Sequence, residues 1–109
     1  MIRRTSHALA DRPVTSLTDY VNGGGVGGLH IARQLSAGDA IDLIDAAGVR
    51  GRGGAGFPTG RKWRSLASAT TTADNAFVVV NAAEGEPGTF KDRALLRTNP
   101  YVVLEGALI

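Results

Sequence analysis

Residues 51–60 read Gly-Arg-Gly-Gly-Ala-Gly-Phe-Pro-Thr-Gly, and these ten positions, the glycine loop, contain five glycines. Gly51, Gly53 and Gly56 formally satisfy the spacing G-x-G-x-x-G. A Rossmann fingerprint follows a strand, however, whereas this loop follows helix-like sequence. A P-loop fails as well, because Gly60 is followed by Arg-Lys rather than by Lys-Ser or Lys-Thr. The glycine loop is therefore neither of these two nucleotide-binding motifs.

The sequence around the glycine loop is basic. Residues 46–73 contain no Asp or Glu, and their basic residues are Arg50, Arg52, Arg61, Lys62 and Arg64. Glycines allow backbone N–H groups to converge on an anion, and a helix beginning near Thr59 would add its positive N-terminal end. Lys62 would supply a full charge. The pattern predicts binding of a phosphorylated ligand, with an ordinary glycine-rich turn beside a solvated basic helix face as the alternative.

A second loop has the opposite character. Phe77–Val80 has the composition of a buried strand, and residues 81–89, the acidic loop, follow it. Ligands of α/β sheets usually lie at the carboxyl ends of strands. Asn81 can donate and accept hydrogen bonds at the edge of a sugar or a flavin. Glu84 and Glu86 can accept hydrogen bonds from ribose hydroxyls and would repel a 2′-phosphate, with solvated loop carboxylates as the alternative.

Helix signals surround both loops. The S-x-x-D capping pattern occurs at Ser16–Asp19 and again at Ser36–Asp39. Apolar spacing and the positions of glycine and proline complete the assignment. The predicted helices are Ser16–Val21, Leu29–Leu35, Ala37–Ala47, Arg61–Ala67, Lys91–Thr98 and Tyr101–Ile109, with a glycine-rich break at 23–28 and a polar linker at 68–75.

Composition limits the chemistry. The 109 residues fit one small domain, and the net charge of +2 demands no polyanionic partner. A nucleic-acid interface is disfavoured, since only Phe57 and Trp63 near the basic patch could stack on bases. Without cysteine, the chain has neither a disulfide nor a thiolate-ligated zinc or iron–sulfur centre. Redox chemistry would therefore need a bound organic cofactor or a partner subunit.

The domain organisation is expected to be incomplete. Residues 1–15 are predicted to be a disordered leader, and residues 16–109 the N-terminal segment of a larger domain. A lone strand cannot satisfy its own backbone groups, and the apolar stretch that ends at Ile109 has no cap. The alternative is a mostly helical small domain whose strand pairs within a dimer. No apolar run is long enough to span a bilayer, so a cytoplasmic location is expected.

Two long motifs give the chain a specific resemblance. Residues 48–63 read Gly-Val-Arg-Gly-Arg-Gly-Gly-Ala-Gly-Phe-Pro-Thr-Gly-Arg-Lys-Trp, and residues 79–93 read Val-Val-Asn-Ala-Ala-Glu-Gly-Glu-Pro-Gly-Thr-Phe-Lys-Asp-Arg. Together they resemble the large, FMN-binding flavoprotein of NADH-quinone oxidoreductase, complex I. They also resemble the diaphorase subunits of NAD-dependent formate dehydrogenases and hydrogenases. The resemblance covers the chain from about Ser16 to Ile109.

The resemblance implies a fold and a function. The fold would be the N-terminal part of a non-Rossmann α/β domain that binds FMN and NADH, mostly helical with one clear buried strand. The activity would be hydride transfer from NADH to FMN, followed by electron transfer to iron–sulfur clusters on missing sequence or on a partner subunit. Such a chain would be peripheral on the inner face of a membrane through its complex. A truncated, non-catalytic nucleotide-binding remnant or interaction module is the second hypothesis.

The resemblance also implies site residues. Gly51 and Gly53, with Lys62, would bind the FMN phosphate and ribityl chain, and Asn81 would contact the flavin. Phe57 would stack on adenine and Glu86 would hold ribose hydroxyls, with no side chain as nucleophile and no metal ligand. The full predicted set is Gly51, Arg52, Gly53, Gly54, Gly56, Phe57, Thr59, Gly60, Lys62, Asn81, Glu84 and Glu86. Ala83 and Ser65 depart from the family, where Asp and an aromatic residue are usual.

Overall fold

The computed structural model describes residues 9–69 and 77–109. Within these ranges the chain forms six α-helices and no strand. The helices are α1 (Leu17–Asn22), α2 (Gly27–Ala32), α3 (Ala37–Ala46), α4 (Thr59–Ala69), α5 (Lys91–Thr98) and α6 (Pro100–Leu108). No helix in the described ranges has the length and apolar character needed to cross a membrane.

The described residues divide into two compact units. The terminal unit comprises residues 9–30 and 79–109, and it contains α1, the start of α2, the acidic loop, α5 and α6. The glycine-loop unit comprises residues 31–69 with 77–78, and it contains α3, the glycine loop and α4. Each predicted binding loop therefore belongs to a different unit.

Packing of α3 against α4 organises the glycine-loop unit. The Ser36 Oγ accepts the Asp39 N–H at 3.1 Å and caps α3, as the S-x-x-D pattern predicts. Ile41 is the buried apolar residue of α3. Arg64 of α4 donates to the Asp42 carboxylate of α3 at 2.9 Å and lies 3.7 Å from the Asp45 carboxylate.

Gly60 of α4 lies directly against Asp45 of α3. A Cβ built on Gly60 would lie 2.5 Å from the Asp45 Cβ and 2.8 Å from the Asp45 Cα. Because the Asp45 Cα belongs to the backbone, rotation of a side chain cannot relieve that overlap. Glycine at position 60 is therefore required for α3 and α4 to pack at this distance.

A partly buried carboxylate organises the terminal unit. Glu105 of α6 accepts the Val26 N–H at 3.0 Å and the Leu29 N–H at 2.9 Å, so it caps the first turn of α2. The Tyr20 hydroxyl of α1 also donates to Glu105, and the Tyr20 ring stacks on Tyr101 with centroids 5.7 Å apart. One carboxylate thereby joins three helices.

This cluster shifts the titration of its two members. Burial, together with the hydrogen bond to Glu105, raises the pKa of Tyr20 to about 12. The hydrogen bond from Tyr20, followed by the backbone hydrogen bond from Leu29, lowers the pKa of Glu105. Tyr20 therefore remains neutral and Glu105 charged at neutral pH, which preserves the donor–acceptor pair.

The prediction of an α/β fold with one clear buried strand is wrong for the described residues. Phe77–Val80 forms no ladder with any described segment, and Phe77 is 86% exposed. A strand depends on backbone partners from another segment, and no described segment pairs with this one. β-branched composition indicates the preference for an extended backbone, but it does not provide the pairing.

The predicted helices are confirmed, with shifts at their ends. Gly27 and Gly28 begin α2 rather than lying in a glycine-rich break. Pro100 begins α6 instead of separating two helices, because the Asn99 Oδ1 accepts the Val102 N–H and caps α6. The predicted leader and the predicted linker fall partly at residues 1–8 and 70–76, which lie outside the described residues.

Candidate functional site

The glycine loop is a closed hairpin of backbone groups. Arg50 and Pro58 form an antiparallel bridge at its base. The Gly51 N–H donates to the Phe57 carbonyl, and the Thr59 N–H donates to the Val49 carbonyl, both at 2.9 Å. These bonds fix the two ends of the loop at the start of α4 without using any charged side chain.

Two glycines determine the course of the loop tip. Gly54 has φ +96° and Gly56 has φ +58°, in the left-handed region that favours glycine. The Arg50 guanidinium donates to the Gly56 carbonyl at 3.1 Å and holds the tip. The backbone amides of Gly53 and Gly54 donate to no described residue, so they remain available to an anion.

A cleft of about 550 Å³ lies beside the glycine loop. The side chains and backbone that line it include Arg50, Gly56, Phe57 and Arg61. The Phe57 side chain is 54% exposed, which is high for a phenylalanine and leaves part of its ring accessible. Asp45 also lines the cleft, but an aromatic ring and two arginines in one cleft suit a ligand that has both a planar ring and phosphate.

The five basic residues around the loop have different roles. Arg64 is paired with Asp42 and Asp45, and Arg50 binds the Gly56 carbonyl. The charged groups of the other three make no ion pair or hydrogen bond with any described residue. Those three residues are Arg52, Arg61 and Lys62. The fold itself therefore leaves three positive charges beside the glycine loop.

Glu84 is a structural cap in the acidic loop of the terminal unit. Its side chain is 4% exposed, and its Oε1 accepts the Asp92 N–H at 2.9 Å in the first turn of α5. Its Oε2 accepts no hydrogen bond from the described residues and lies 3.5 Å from the Arg93 Nε, an ion-pair distance. The Glu84 backbone has φ +48°, in the left-handed region that non-glycine residues rarely adopt. The alternative of a solvated carboxylate does not describe Glu84.

Glu86 is exposed, in contrast to Glu84. Its side chain is 70% exposed, and its carboxylate lies 3.8 Å from the Lys91 Nζ. The Glu86 carbonyl accepts hydrogen bonds from the Thr89 N–H at 3.3 Å and the Thr89 hydroxyl at 3.0 Å, which closes a turn. The backbone of Glu86 is thus held while its carboxylate faces solvent, where it can accept hydrogen bonds from a ligand.

Asn81 makes a local turn at the start of the acidic loop. Its Oδ1 accepts the Ala83 N–H at 3.0 Å, an Asx turn. The side-chain nitrogen of Asn81 is left as the group that can donate to a ligand. Ala83, where the resemblance leads one to expect Asp, contributes its backbone to this turn.

The predicted site residues form two sets. The glycine-loop unit contains Gly51, Arg52, Gly53, Gly54, Gly56, Phe57, Thr59, Gly60 and Lys62, and the terminal unit contains Asn81, Glu84 and Glu86. Within the first set, Gly60 is buried against α3, and the Thr59 amide is used at the loop base. The other members of that set lie at the loop or the first turn of α4.

The basic residues beside the two glutamates are site residues that the sequence did not predict. Lys91 and Arg93, in the first turn of α5, lie beside Glu86 and Glu84 respectively. One signal was available, because Phe90 precedes α5 and its side chain cannot cap a helix. A helix without a local cap needs another acceptor, and Glu84 provides it from eight residues away.

Comparison with known proteins agrees with the motifs. The family model of the Nuo51 FMN-binding domain matches residues 44–109, which include every predicted site residue. A subunit of the NADH-quinone oxidoreductase of Aquifex aeolicus is 42% identical over 88% of this chain and 22% of its own length. The subunit of the same name in Rhodobacter capsulatus is 52% identical over 63% of this chain and 16% of its own.

A mitochondrial protein is also similar to this chain. NADH dehydrogenase (ubiquinone) flavoprotein 1 of Dictyostelium discoideum is 50% identical over 59% of this chain and 13% of its own length. The chain thus spans roughly a fifth or less of the length of these three relatives. Because the family model covers more than half of the chain, the resemblance is confirmed, and this chain belongs to the Nuo51 FMN-binding domain family.

Proposed function

We propose that this chain is the FMN- and NADH-binding segment of an NADH dehydrogenase flavoprotein. The observation that supports this most directly is a set of three cations beside the glycine loop that have no ion-pair partner among residues 9–69 and 77–109: Arg52, Arg61 and Lys62. A cation left without an internal partner is available to a phosphate. Family membership identifies FMN as the phosphorylated ligand to test first.

The glycine loop fits the phosphate end of FMN. The free amides of Gly53 and Gly54 offer two donors, and Lys62 offers a charge in the first turn of α4. The Gly51 amide is already bonded to Phe57, so Gly51 contributes loop shape rather than a donor. These groups bind and orient the phosphate and ribityl chain.

Phe57 fits the adenine of the nicotinamide nucleotide. Its ring is accessible at the cleft, and Arg50 and Arg61 line the same cleft. Stacking on the ring would fix the adenine, while the guanidinium groups would attract phosphates of the nucleotide. Separately, the exposed carboxylate of Glu86 fits ribose hydroxyls as a hydrogen-bond acceptor.

Residues of this chain would contribute orientation and electrostatics to the reaction. The bound FMN supplies the hydride acceptor, which no amino-acid side chain provides. Phe57 and Lys62 would hold ligand groups in place, so the reaction would gain from proximity rather than from a protein nucleophile.

Partners and location follow as further parts of the proposal. The relatives are named as subunits of oxidoreductases, and this chain has no cysteine to ligate an iron–sulfur cluster. Electrons would therefore leave through clusters on further sequence or on a partner subunit. The segment would work on the cytoplasmic side, attached to the membrane only through such a complex.

A second candidate function also starts from the lack of cysteine in this sequence. Without an attached cluster, the chain would act as a nucleotide-binding module that lacks electron-transfer capacity. In that case it would bind NADH and FMN without passing electrons to a partner. Reduction of an added iron–sulfur partner protein by NADH would favour the first proposal over this one.

Lys62 provides the test of phosphate binding. In the full-length protein that contains this segment, Lys62→Ala should weaken FMN binding by about 1.5–3 kcal/mol, the range for a charged hydrogen bond. Riboflavin, which lacks the phosphate, should lose much less affinity. Arg64→Ala, on the same helix but paired with α3, is the matched control and should leave FMN affinity nearly unchanged. Equal losses for FMN and riboflavin would contradict the proposal.

A further inference from the structure

The first turn of α5 places a lysine between two carboxylates. The Lys91 Nζ lies 3.8 Å from the Glu86 Oε2 and 3.7 Å from the Asp92 Oδ2. Lys91 is 57% exposed and Glu86 is 70% exposed, so both charged groups face solvent. A ligand that approaches the Glu86 carboxylate therefore also comes within range of the Lys91 ammonium group.

The charges around the acidic loop do not balance. Three carboxylates, those of Glu84, Glu86 and Asp92, accompany two cations, those of Lys91 and Arg93. Arg93 lies against the buried Glu84, so Lys91 is the cation that Glu86 and Asp92 share. The negative charge that Glu86 presents to a ligand is therefore only partly compensated. Lys91 determines the extent of that compensation.

We infer that Lys91 is a specificity-determining residue: it weakens the discrimination that Glu86 exerts against a ribose 2′-phosphate. This inference rests on the proposed function, in which Glu86 receives ribose hydroxyls. A 2′-phosphate would replace a hydroxyl beside Glu86 and would be repelled by that carboxylate. The same phosphate would be attracted by Lys91, because the ammonium group lies within 4 Å of the carboxylate.

Removal of either charge should act in opposite directions. Loss of the Lys91 charge leaves Glu86 uncompensated, so discrimination against a 2′-phosphate increases. Loss of the Glu86 charge leaves Lys91 to attract the phosphate, so discrimination decreases. When both charges are removed, the increase in affinity for the 2′-phosphate that the Glu86 change produces alone should largely disappear. This non-additivity distinguishes a Lys91 that contacts the ligand from one that only supports the loop.

The test uses two ligands that undergo no redox reaction. Isothermal titration calorimetry on the full-length protein measures the Kd of ADP-ribose and of 2′-phospho-ADP-ribose. Lys91→Met should raise the Kd of 2′-phospho-ADP-ribose by about fivefold, the upper end for an exposed charge pair. It should raise the Kd of ADP-ribose by less than about twofold. In the Glu86→Gln background, Lys91→Met should weaken 2′-phospho-ADP-ribose by about tenfold or more, as for a charged hydrogen bond.

Two control variants isolate the position of the charge. Lys91→Arg keeps the charge and should retain most of the affinity for 2′-phospho-ADP-ribose. Arg97→Met removes one positive charge from the last turn of the same helix. It should change neither Kd by more than about twofold, since six residues of helix put Arg97 about 9 Å along the axis from Lys91, where solvent and ions weaken its effect. Loss of affinity in Lys91→Met but not in these two controls supports the inference.

The outcomes separate the inference from the proposed function. If Glu86→Gln shifts the selectivity but Lys91→Met behaves like Arg97→Met, the role of Lys91 is refuted while that of Glu86 stands. If Glu86→Gln leaves the ratio of the two Kd values unchanged, the ribose role of Glu86 and the role of Lys91 are both refuted.

Discussion

The two units of this chain hold their binding loops by different means. In the glycine-loop unit, backbone hydrogen bonds close the loop, and Gly60 allows α4 to approach α3 closely. In the terminal unit, side-chain carboxylates take this part: Glu84 holds the acidic loop to the start of α5, and Glu105 caps α2. The glycine-loop unit thus keeps cations free for a ligand, whereas the terminal unit uses two of its carboxylates for its own structure.

Gly60→Ala should have the largest effect, a loss of stability in the glycine-loop unit. The new Cβ would overlap the Asp45 backbone, so α3 and α4 must separate, at a cost of about 3 kcal/mol. Native-state hydrogen exchange of α4 amides in the full-length protein measures the opening free energy. Gly53→Ala is the matched control, because a Cβ there meets nothing within 4 Å and its φ is not positive. Equal losses in both variants would show that steric contact does not set the stability of this unit.

Glu84→Ala should destabilise the acidic loop by about 2 kcal/mol. The change leaves the Asp92 N–H without its acceptor and Arg93 without its ion-pair partner. Glu84→Gln should recover much of the loss, because an amide oxygen can still accept the Asp92 N–H. Hydrogen exchange in the first turn of α5 is the measurement. The exposed Glu86→Ala is the control, and a larger effect there than in Glu84→Ala would reverse the roles assigned to the two glutamates.

Tyr20→Phe should cost the terminal unit about 1.5 kcal/mol at neutral pH, since Glu105 loses a donor. The pKa of Tyr20 is raised in the folded chain from 10 to about 12, so its contribution to stability is full below pH 10 and lost as pH rises toward 12. The Tyr20→Phe variant should therefore lose less stability than the wild type between pH 10 and about pH 12, as measured by the free energy of unfolding.

The lowered pKa of Glu105 acts at the other end of the pH scale. Its contribution is present above the unfolded value of 4.5 and is lost as pH falls through the lower folded value. Exchange rates of the α2 amides, followed from neutral pH to well below the unfolded pKa of 4.5, report this loss after correction for intrinsic rates. A wild-type Leu29 amide that is no better protected than in Tyr20→Phe would contradict the assigned role of this cluster.

Glu86→Gln should give the smallest effect in free energy, about a tenfold rise in the ratio of kcat/KM for NADPH over NADH. Like charges ~4 Å apart repel by about 4 kcal/mol at an effective dielectric of about 20, and solvent and ions reduce this at an exposed site. FMN content should stay unchanged. Glu84→Gln is the control, because its carboxylate faces α5. A shift in Glu84→Gln alone would mean that the ribose faces Glu84.

Local sequence was sufficient for features that depend on near neighbours. Ser16 and Ser36 cap helices as predicted. Each serine accepts the N–H of the aspartate three residues later, so the two partners lie within one turn of helix. The clustering of basic residues around the glycine loop was also visible in the sequence, as were the two long motifs that identify the family. These features need no knowledge of distant contacts.

The tertiary structure decided which charged groups are free and which are used internally. Charge and local spacing alone do not distinguish Arg64, which pairs with α3, from Lys62, whose ammonium group has no described partner. Nor do they distinguish the buried side chain of Glu84 from the exposed one of Glu86. Likewise, Phe77–Val80 has strand composition but forms no strand among the described residues, because pairing depends on a partner segment. Sequence determines local conformation through nearby bonds, whereas burial, pairing and availability depend on contacts between residues far apart in the chain.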